Sequence, residues 1–320
     1  MSVSDRRPRV LVVGSVAFDN VKTPLGEVND VLGGAAVYGS VSASFFAPVQ
    51  LVGVVGEDFP QEHVDMLAAR GIDLQGLQRV AGPTFRWKGF YDYDLNQAHS
   101  LDTQLGVFES FRPTIPDAYR DAEYVFLANI DPTLQLEVLD QVKSPTLTFC
   151  DTMNFWISGK KQELLKVLER VDVAFLNDAE ARQLCDTFSL VKAAKELHRI
   201  GPSVVVIKKG EHGAVLFTKG DHFSAPSYPL EEVKDPTGAG DTFEGGFVGY
   251  LARTDDTSEA NLRKAVVYGS VMASFNVEDF SLERMKRLTR PEIAARYREF
   301  KQMAYFEALE ELALMESAED

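Results

Sequence analysis

The sequence contains few residues that could build a zinc centre or a disulfide framework. Its only cysteines among 320 residues are Cys150 and Cys185, and neither belongs to a CxxC pair. The five histidines are scattered and show no HExxH or comparable ligand spacing. Zinc sites require such spacing, and disulfide-rich secreted domains need many more cysteines. We therefore exclude both classes and expect two inert thiols in a reducing compartment.

Long apolar runs and an excess of positive charge are also missing. No apolar segment approaches the roughly 20 residues that span a bilayer, and the polar start of the chain lacks the features of a signal peptide. The net charge of −15 argues against a nucleic-acid-binding surface. We expect a cytoplasmic protein that binds neither membrane nor nucleic acid. From Glu307 onward the tail has six acidic residues and no basic residue, which predicts the solvated end of a terminal helix that begins at Pro291.

Two common nucleotide-binding signatures are absent as well. The first predicted strand is followed by GSVAFD where a dinucleotide-binding fold would have GxGxxG, and the later GAGDTF has Phe243 in place of the third glycine. The chain contains no GxxxxGK[ST] segment. These absences exclude a dinucleotide-dependent dehydrogenase and a P-loop nucleotide hydrolase.

Short, mostly β-branched apolar segments are typical of the buried strands of a parallel sheet, and segments of helical character separate them. They occupy residues 9–14, 50–55, 123–129, 146–150, 171–176 and 203–208. No repeat, low-complexity linker or change of composition divides the chain. We therefore predict a single domain over residues 1–320.

Two inserted segments, about residues 19–32 and 84–107, do not fit the main sheet. Residues 85–93 are rich in aromatic side chains and are too polar for a central strand, and residues 98–107 are a suitable hairpin partner. Residues 21–31 alternate loosely and also predict short strands. Such a small sheet could cover a ligand and exclude water, or it could be a meander packed on the surface.

The segment from Asp235 to Phe243, DPTGAGDTF, carries the strongest functional signal. We predict a strand-like approach over residues 228–234 and a helix over residues 239–253. Gly238 and Gly240 let backbone N–H groups approach a ligand, and at a helix start those groups favour an anion. Asp241 places a carboxylate beside that anion, where a base must stand to deprotonate a hydroxyl that attacks a phosphoryl group. The alternative is an ordinary glycine-rich helix cap.

This segment resembles the signature of the PfkB-type carbohydrate kinases of the ribokinase superfamily, and weaker similarities extend over residues 9–289. The resemblance implies an α/β/α sandwich with a mostly parallel sheet and a small β-sheet lid. It also implies that Asp241 is the catalytic base and that Gly238, Ala239 and Gly240 form the anion hole for the transferred phosphoryl group.

The resemblance also implies a substrate site. Asp19, after the first strand, would bind substrate hydroxyls, the pair Gly33 and Gly34 would contact a sugar, and Asn129 would meet the substrate. The chain departs from the family in two places: AVYG follows the glycine pair where an asparagine is common, and DTMNF replaces Asp-x-Asn-x-Arg after Cys150. These departures leave the identity of the substrate open.

By the same resemblance, ATP and Mg²⁺ are the expected cofactors, with a monovalent cation as a further candidate. The candidate nucleotide-binding residues are Lys208, Gly210, Gly213, Thr237, Ser274 and Asn276. Asn177 and Glu180 would organise Mg²⁺ through water, which fits the strong hydration of that ion. Their spacing is equally that of a helix capping box, and both interpretations stay open.

We therefore predict an ATP-dependent kinase whose substrate is a sugar, the commonest substrate class of the family. A nucleoside kinase on the same scaffold is the nearest alternative, because Phe85, Trp87, Phe90 and Tyr91 near the lid could stack on a base or simply pack. A nucleotide-binding sensor without turnover is a weaker alternative, since Asp241 is intact. Because a small lid sheet leaves open edges, a homodimer through the lid is also expected.

Overall fold

The computed structural model describes residues 8–305, and the predicted acidic tail lies outside the described residues. The described part contains two β-sheets flanked by helices. In chain order the strands are β1 Val10–Val13, β2 Ala17–Thr23, β3 Gly26–Gly33, β4 Val49–Val55, β5 Ile72–Arg79, β6 Phe85–Tyr91, β7 Ala98–Gln104, β8 Tyr124–Leu127, β9 Leu147–Cys150, β10 Val173–Asn177, β11 Val204–Lys208, β12 Ala214–Thr218 and β13 His222–Ala225.

Nine strands form the main sheet, in the order β13-β12-β11-β10-β9-β8-β1-β4-β5. Seven of them run parallel, namely β11, β10, β9, β8, β1, β4 and β5. Strands β12 and β13 add an antiparallel edge. Strands β1, β4 and β8 are completely buried, as expected for apolar strands covered on both faces. The predicted mostly parallel sheet is confirmed.

Helices cover both faces of this sheet. They are α1 Ala35–Ala43, α2 Gln61–Ala69, α3 Pro132–Leu139, α4 Asn154–Gly159, α5 Lys161–Leu168, α6 Asp178–Cys185, α7 Leu190–Ile200, α8 Ala239–Thr254, α9 Glu259–Asn276, α10 Glu283–Arg287 and α11 Arg290–Met303. The core on one face includes α1, α8 and α9, and the core on the other includes α3, α5, α6 and α7. The predicted three-layer α/β/α sandwich is therefore confirmed.

Helices α1 and α8 pack closely because both carry glycine at their contact. A Cβ atom added at Gly245 would lie 2.2 Å from the carbonyl oxygen of Gly39, and one at Gly249 would lie 2.8 Å from the Cα atom of Ala43. Real Cβ atoms essentially never make contacts this short. The close packing holds the first turn of α8 beside α1.

The local structure differs from the sequence predictions in two places. Strand β5 was not predicted, because as an edge strand it buries only Ile72 and Gly76 fully and has no continuous apolar run. Residues 228–234 were predicted to form a strand-like approach to the DPTGAGDTF segment, but they form no strand. Their backbone is instead held by single hydrogen bonds, from the Thr23 hydroxyl to the Lys234 carbonyl (2.9 Å) and from the Lys234 N–H to the Val277 carbonyl (2.8 Å).

The second sheet has the order β3-β2-β6-β7 and is built from the two inserted segments. Strands β6 and β7 form the predicted hairpin, and β2 pairs with β6 in parallel. The hydroxyl group of Tyr91, at the end of β6, contacts the Thr237 hydroxyl at 3.3 Å. The small sheet thus reaches the DPTGAGDTF segment, which supports the lid interpretation. Over residues 8–305, no helix has both the length and the apolar character needed to cross a membrane.

Candidate active site

The carboxyl ends of the parallel strands create one edge where polar residues gather. Asn129 lies two residues after the end of β8, and Asp151 directly follows β9. Asn177 is the last residue of β10, and Lys208 is the last residue of β11. In open α/β sheets, ligands bind at this edge. Three of these four residues were predicted site residues, and Asp151 was not.

The DPTGAGDTF segment forms a braced turn that opens α8. Gly238 has φ of 72°, and a Cβ atom there would lie 2.5 Å from the ring of Tyr38, so only glycine fits. The Asp235 carboxylate accepts hydrogen bonds from the N–H groups of Thr237 (2.9 Å) and Ser281 (3.1 Å). The Ala239 N–H donates to the Pro236 carbonyl at 3.1 Å. The Gly240 N–H that follows it in the first turn has no intrahelical acceptor, so the turn can present this donor to an anion.

Asp241 lies in the first turn of α8 among other acids. Carboxylate oxygens of Asp241, Asp151 and Glu244 all lie within 4.8 Å of one another. Burial and the charge of Asp151 raise the pKa of Asp241 to about 7, while Lys208 acts in the opposite direction. A carboxylate with a pKa near neutrality can accept a proton from a hydroxyl more readily than one with an ordinary pKa.

Lys208 is the cation at the centre of this acidic group. Its ammonium group contacts the Glu244 carboxylate directly and lies 3.3 Å from Asp151 Oδ1. The Glu244 side chain is fully buried, and that of Lys208 is only 16% exposed. The nearest atom to a Cβ built on Gly240 would be Lys208 Nζ, at 3.1 Å. The ammonium group therefore lies next to the anion-binding turn.

Asp19 lies in β2, on the lid side of the site. Its carboxylate is buried, and the Tyr38 hydroxyl donates to it at 3.4 Å. Burial, followed by the charges of Asp235 and Asp241, raises the pKa of Asp19 to about 7. Gly33 is essential to this arrangement, because a Cβ atom there would lie 1.9 Å from Asp19 Oδ2. The adjacent Gly34, with φ of 98°, begins α1.

Trp87 lies beside Asp19 on the same face of the lid. The two residues are register partners in β6 and β2, and paired residues of neighbouring strands point to the same face. The indole ring lies along Gly89, where a Cβ atom would be 2.3 Å from the ring, and its N–H donates to the Ser100 hydroxyl at 2.9 Å. A half-buried aromatic ring is thus fixed on the same face of the lid as the Asp19 carboxylate, and it leans along β6 and toward β7.

Several predicted ligand contacts are engaged within the protein. Asn129 accepts from the Trp156 indole at 2.9 Å and lies 3.2 Å from the Met153 sulfur. Ser274 donates to the Val271 carbonyl and accepts from Arg296. These two residues stay predictions as ligand contacts.

Asn276 and the glycine turn were also predicted on the nucleotide side. The buried Asn276 donates to the Thr237 carbonyl at 2.8 Å and accepts from the Thr242 hydroxyl at 3.2 Å, so it braces the start of α8. Gly210 and Gly213 both have positive φ and form the turn after β11. As nucleotide contacts these residues also stay predictions.

Asn177 and Glu180 form the capping box that was one of the two open interpretations. The Asn177 side chain accepts from the Glu180 N–H at 2.8 Å, and the Glu180 side chain accepts from the Asn177 N–H at 2.7 Å. Burial and the charge of Asp151 raise the pKa of Glu180 to about 7. A surplus of carboxylates around one lysine suits a hard cation such as Mg²⁺, so the donor chemistry fits that ion. The predicted metal role of this pair remains a prediction.

Sequence reasoning missed Glu244 and Tyr38 as site residues. Glu244 is a single charged residue between Phe243 and two glycines in α8, and an acid in such surroundings is unusual unless it is paired. Tyr38 belongs to the AVYG run, in which the chain departs from the family's common asparagine, and that departure was the available signal.

Known proteins that are similar to this chain are kinases. The family model of the pfkB family carbohydrate kinases matches residues 8–286. A cytidine kinase from Thermococcus kodakarensis is 32% identical over 252 residues, which cover 76% of this chain and 88% of that protein. Two solved structures share the fold. A Burkholderia thailandensis nucleoside kinase in complex with inosine has a TM-score of 0.72 and 22% identity, and the match covers 91% of this chain and 96% of that one. An Arabidopsis thaliana ribokinase complexed with ribose and ATP has a TM-score of 0.73 and 21% identity, and the match covers 91% of this chain and 99% of that one.

Proposed function

Because the chain belongs to the pfkB family of carbohydrate kinases, and is thus a phosphotransferase with a hydroxyl acceptor, we propose that it phosphorylates a nucleoside with ATP. The observation that carries the proposal is the position of Trp87 on the same face of the lid as Asp19, its register partner. A carboxylate can accept from two adjacent ribose hydroxyls, and an aromatic ring on the same face offers a surface for the base. Stacking of a base on an aromatic side chain contributes about 1–3 kcal/mol.

The relatives support the same choice. The cytidine kinase and the inosine-bound nucleoside kinase are named for nucleoside substrates, whereas the sequence alone favoured a sugar. A free sugar remains the second candidate, because Asp19 would bind the hydroxyls of a free pentose equally well and the similar ribokinase was solved with ribose and ATP.

The proposed mechanism assigns one task to each group. The acceptor hydroxyl would be oriented between Asp19 and Asp241, and Asp241 would accept its proton as the oxygen attacks the γ-phosphoryl group. The bond between the γ-phosphorus and the bridging oxygen would break, and ADP would leave. The N–H groups at Gly238–Gly240 and the Lys208 ammonium would stabilise the charge of the transferred group. Mg²⁺, held through water near Asn177 and Glu180, would supply additional positive charge at the phosphates when bound.

The test is a substrate panel combined with lid variants. Purified protein is assayed with ATP and Mg²⁺ against nucleosides and against free ribose, fructose and inositol. We expect at least one nucleoside to be phosphorylated with the highest kcat/KM. If the protein phosphorylates free sugars but no nucleoside, the proposal is wrong.

Trp87→Ala should lower kcat/KM for the nucleoside by about 5- to 150-fold, the equivalent of the lost stacking energy, and Trp87→Phe should lower it less. Phe90→Ala is the matched control, since Phe90 lies on the opposite face of β6 and stacks on His99. Equal effects of Trp87→Ala and Phe90→Ala would indicate that Trp87 only stabilises the lid.

The homodimer, the cytoplasmic location and the monovalent cation stay predictions within this proposal. The exposed edge strand β7 is the surface through which the lid would pair with a second copy. Light scattering on the purified protein, with and without a charged substitution at Leu101 of β7, would test the dimer.

A further inference from the structure

Glu244 is a fully buried carboxylate that the proposed reaction does not use. It lies one helical turn after Asp241 on α8, and its side chain is 0% exposed. One of its oxygens accepts from the Lys208 ammonium group. The other, Oε2, is buried and has no hydrogen-bond partner among the described residues.

Such a pair is difficult to explain by stability alone. Removing two charges from water is expensive, and replacing a buried ion pair with well-packed apolar groups is often neutral or stabilising. Glu244 adds a third carboxylate to a buried group that already holds Asp151 and Asp241, all within 4.8 Å of one another, so it increases the repulsion there as well as pairing with Lys208. The carboxylate therefore calls for a functional explanation.

The geometry around Lys208 supplies a functional explanation for Glu244. Lysine carries a compact charge on a flexible four-carbon stem, and a free side chain would sample many positions at the end of β11. Here Glu244 contacts the ammonium group from within α8, and Asp151 lies 3.3 Å from it at the end of β9. The two carboxylates hold the charge within van der Waals distance of the Gly240 position in the anion-binding turn.

We propose that Glu244 is a positioning residue that holds the Lys208 ammonium group against the Gly238–Gly240 turn, where this charge meets the phosphoryl group in transfer. The inference rests on the proposed phosphoryl transfer but not on the class of acceptor. Glu244 itself touches neither substrate in this scheme.

A double-mutant cycle tests the inference. Glu244→Gln keeps the size and one acceptor oxygen but removes the charge, Lys208→Met removes the ammonium group, and the double variant combines the two. We expect Glu244→Gln to lower kcat at least tenfold with the acceptor KM changed less than threefold. Lys208→Met should lower kcat further, and adding Glu244→Gln to it should cause no additional loss, because there is no ammonium group left to position.

Thermal unfolding separates positioning from a purely structural role. Lys208→Met leaves buried carboxylates without their cation and should lower Tm, and the added Glu244→Gln should restore part of that loss while activity stays low. Glu123→Gln is the matched control, since Glu123 pairs with Arg9 at the opposite end of the strands, at 3.3 Å; it should leave kcat unchanged.

Two results would overturn the inference: a kcat for Glu244→Gln within twofold of wild type, or an equal loss from Glu244→Gln in the presence and absence of Lys208. The cycle is run with whichever acceptor the wild-type protein phosphorylates best. A wrong choice of nucleoside over sugar therefore leaves this test intact, and only wild-type protein inactive on every acceptor would point to failure of the proposed function.

Discussion

Replacing Gly33 with alanine should damage acceptor binding through a single steric contact. A Cβ atom at Gly33 would lie 1.9 Å from Oδ2 and 2.3 Å from Cγ of Asp19. The carboxylate would have to retreat by about 1.5 Å to reach ordinary contact distance. That movement would also break the 3.4 Å hydrogen bond from Tyr38, so the carboxylate would lose both its position and its partner.

The size of the effect follows from the contacts that Asp19 would make. Hydrogen bonds to a charged group contribute about 1.5–3 kcal/mol, so their loss should lower kcat/KM for the acceptor by about 10- to 150-fold. The KM for ATP should change little, because the displaced group is on the acceptor side. Steady-state kinetics with each substrate varied in turn measure both quantities.

Two further variants make the experiment decisive. Gly220→Ala adds the same methyl group where no atom lies within 4 Å, and it should leave kinetics and Tm unchanged. Asp19→Ala removes the carboxylate without a clash and should reproduce the acceptor defect. If Gly33→Ala keeps kcat/KM within twofold of wild type, Asp19 does not bind the acceptor in the way inferred here.

Four further predictions concern charge. Asp241→Asn should lower kcat by about 10²–10⁴-fold while calorimetry shows ADP binding preserved, and near-normal turnover would remove Asp241 as the base. Since the pKa of Asp241 is raised to about 7, log kcat/KM should rise with pH up to about 7, and a flat profile from pH 5.5 to 8 would contradict that role. The pKa values of Asp19, Glu180 and Asp241 are all raised to about 7, so the folded state binds more protons than the unfolded state between about pH 5 and 7. Tm should therefore fall as pH rises through that window, and an increase would refute the assignment. Glu180→Gln should raise the Mg²⁺ concentration needed for half-maximal rate, and an unchanged titration would leave Glu180 with its capping role alone.

The parts of the fold that follow from local pattern could be predicted from the sequence. Buried central strands such as β1 and β8 need continuous apolar runs, because helices cover both of their faces. The turn that opens α8 needs glycine at Gly238, where φ is positive and Tyr38 packs against the backbone. Edge strand β5 escaped prediction because its partly exposed residues follow no such rule.

The parts of the site that depend on distant partners could not be predicted in this way. Glu244 is significant only because Lys208, 36 residues earlier, reaches it from another strand. Trp87 could be assigned to the acceptor side only after its register with Asp19 was known. Both are tertiary juxtapositions, and neither has a signature in the spacing of residues along the chain.

The acceptor side and the phosphoryl side of the site are joined by one residue, Tyr38. Its hydroxyl group donates to Asp19, and its ring packs on the backbone of Gly238. The glycines that let α1 approach α8 keep Tyr38 in contact with that turn. If Asp19 binds the acceptor as proposed, Tyr38 sets the distance between that carboxylate and the anion-binding turn, and with it the size of acceptor that fits between Asp19 and Asp241.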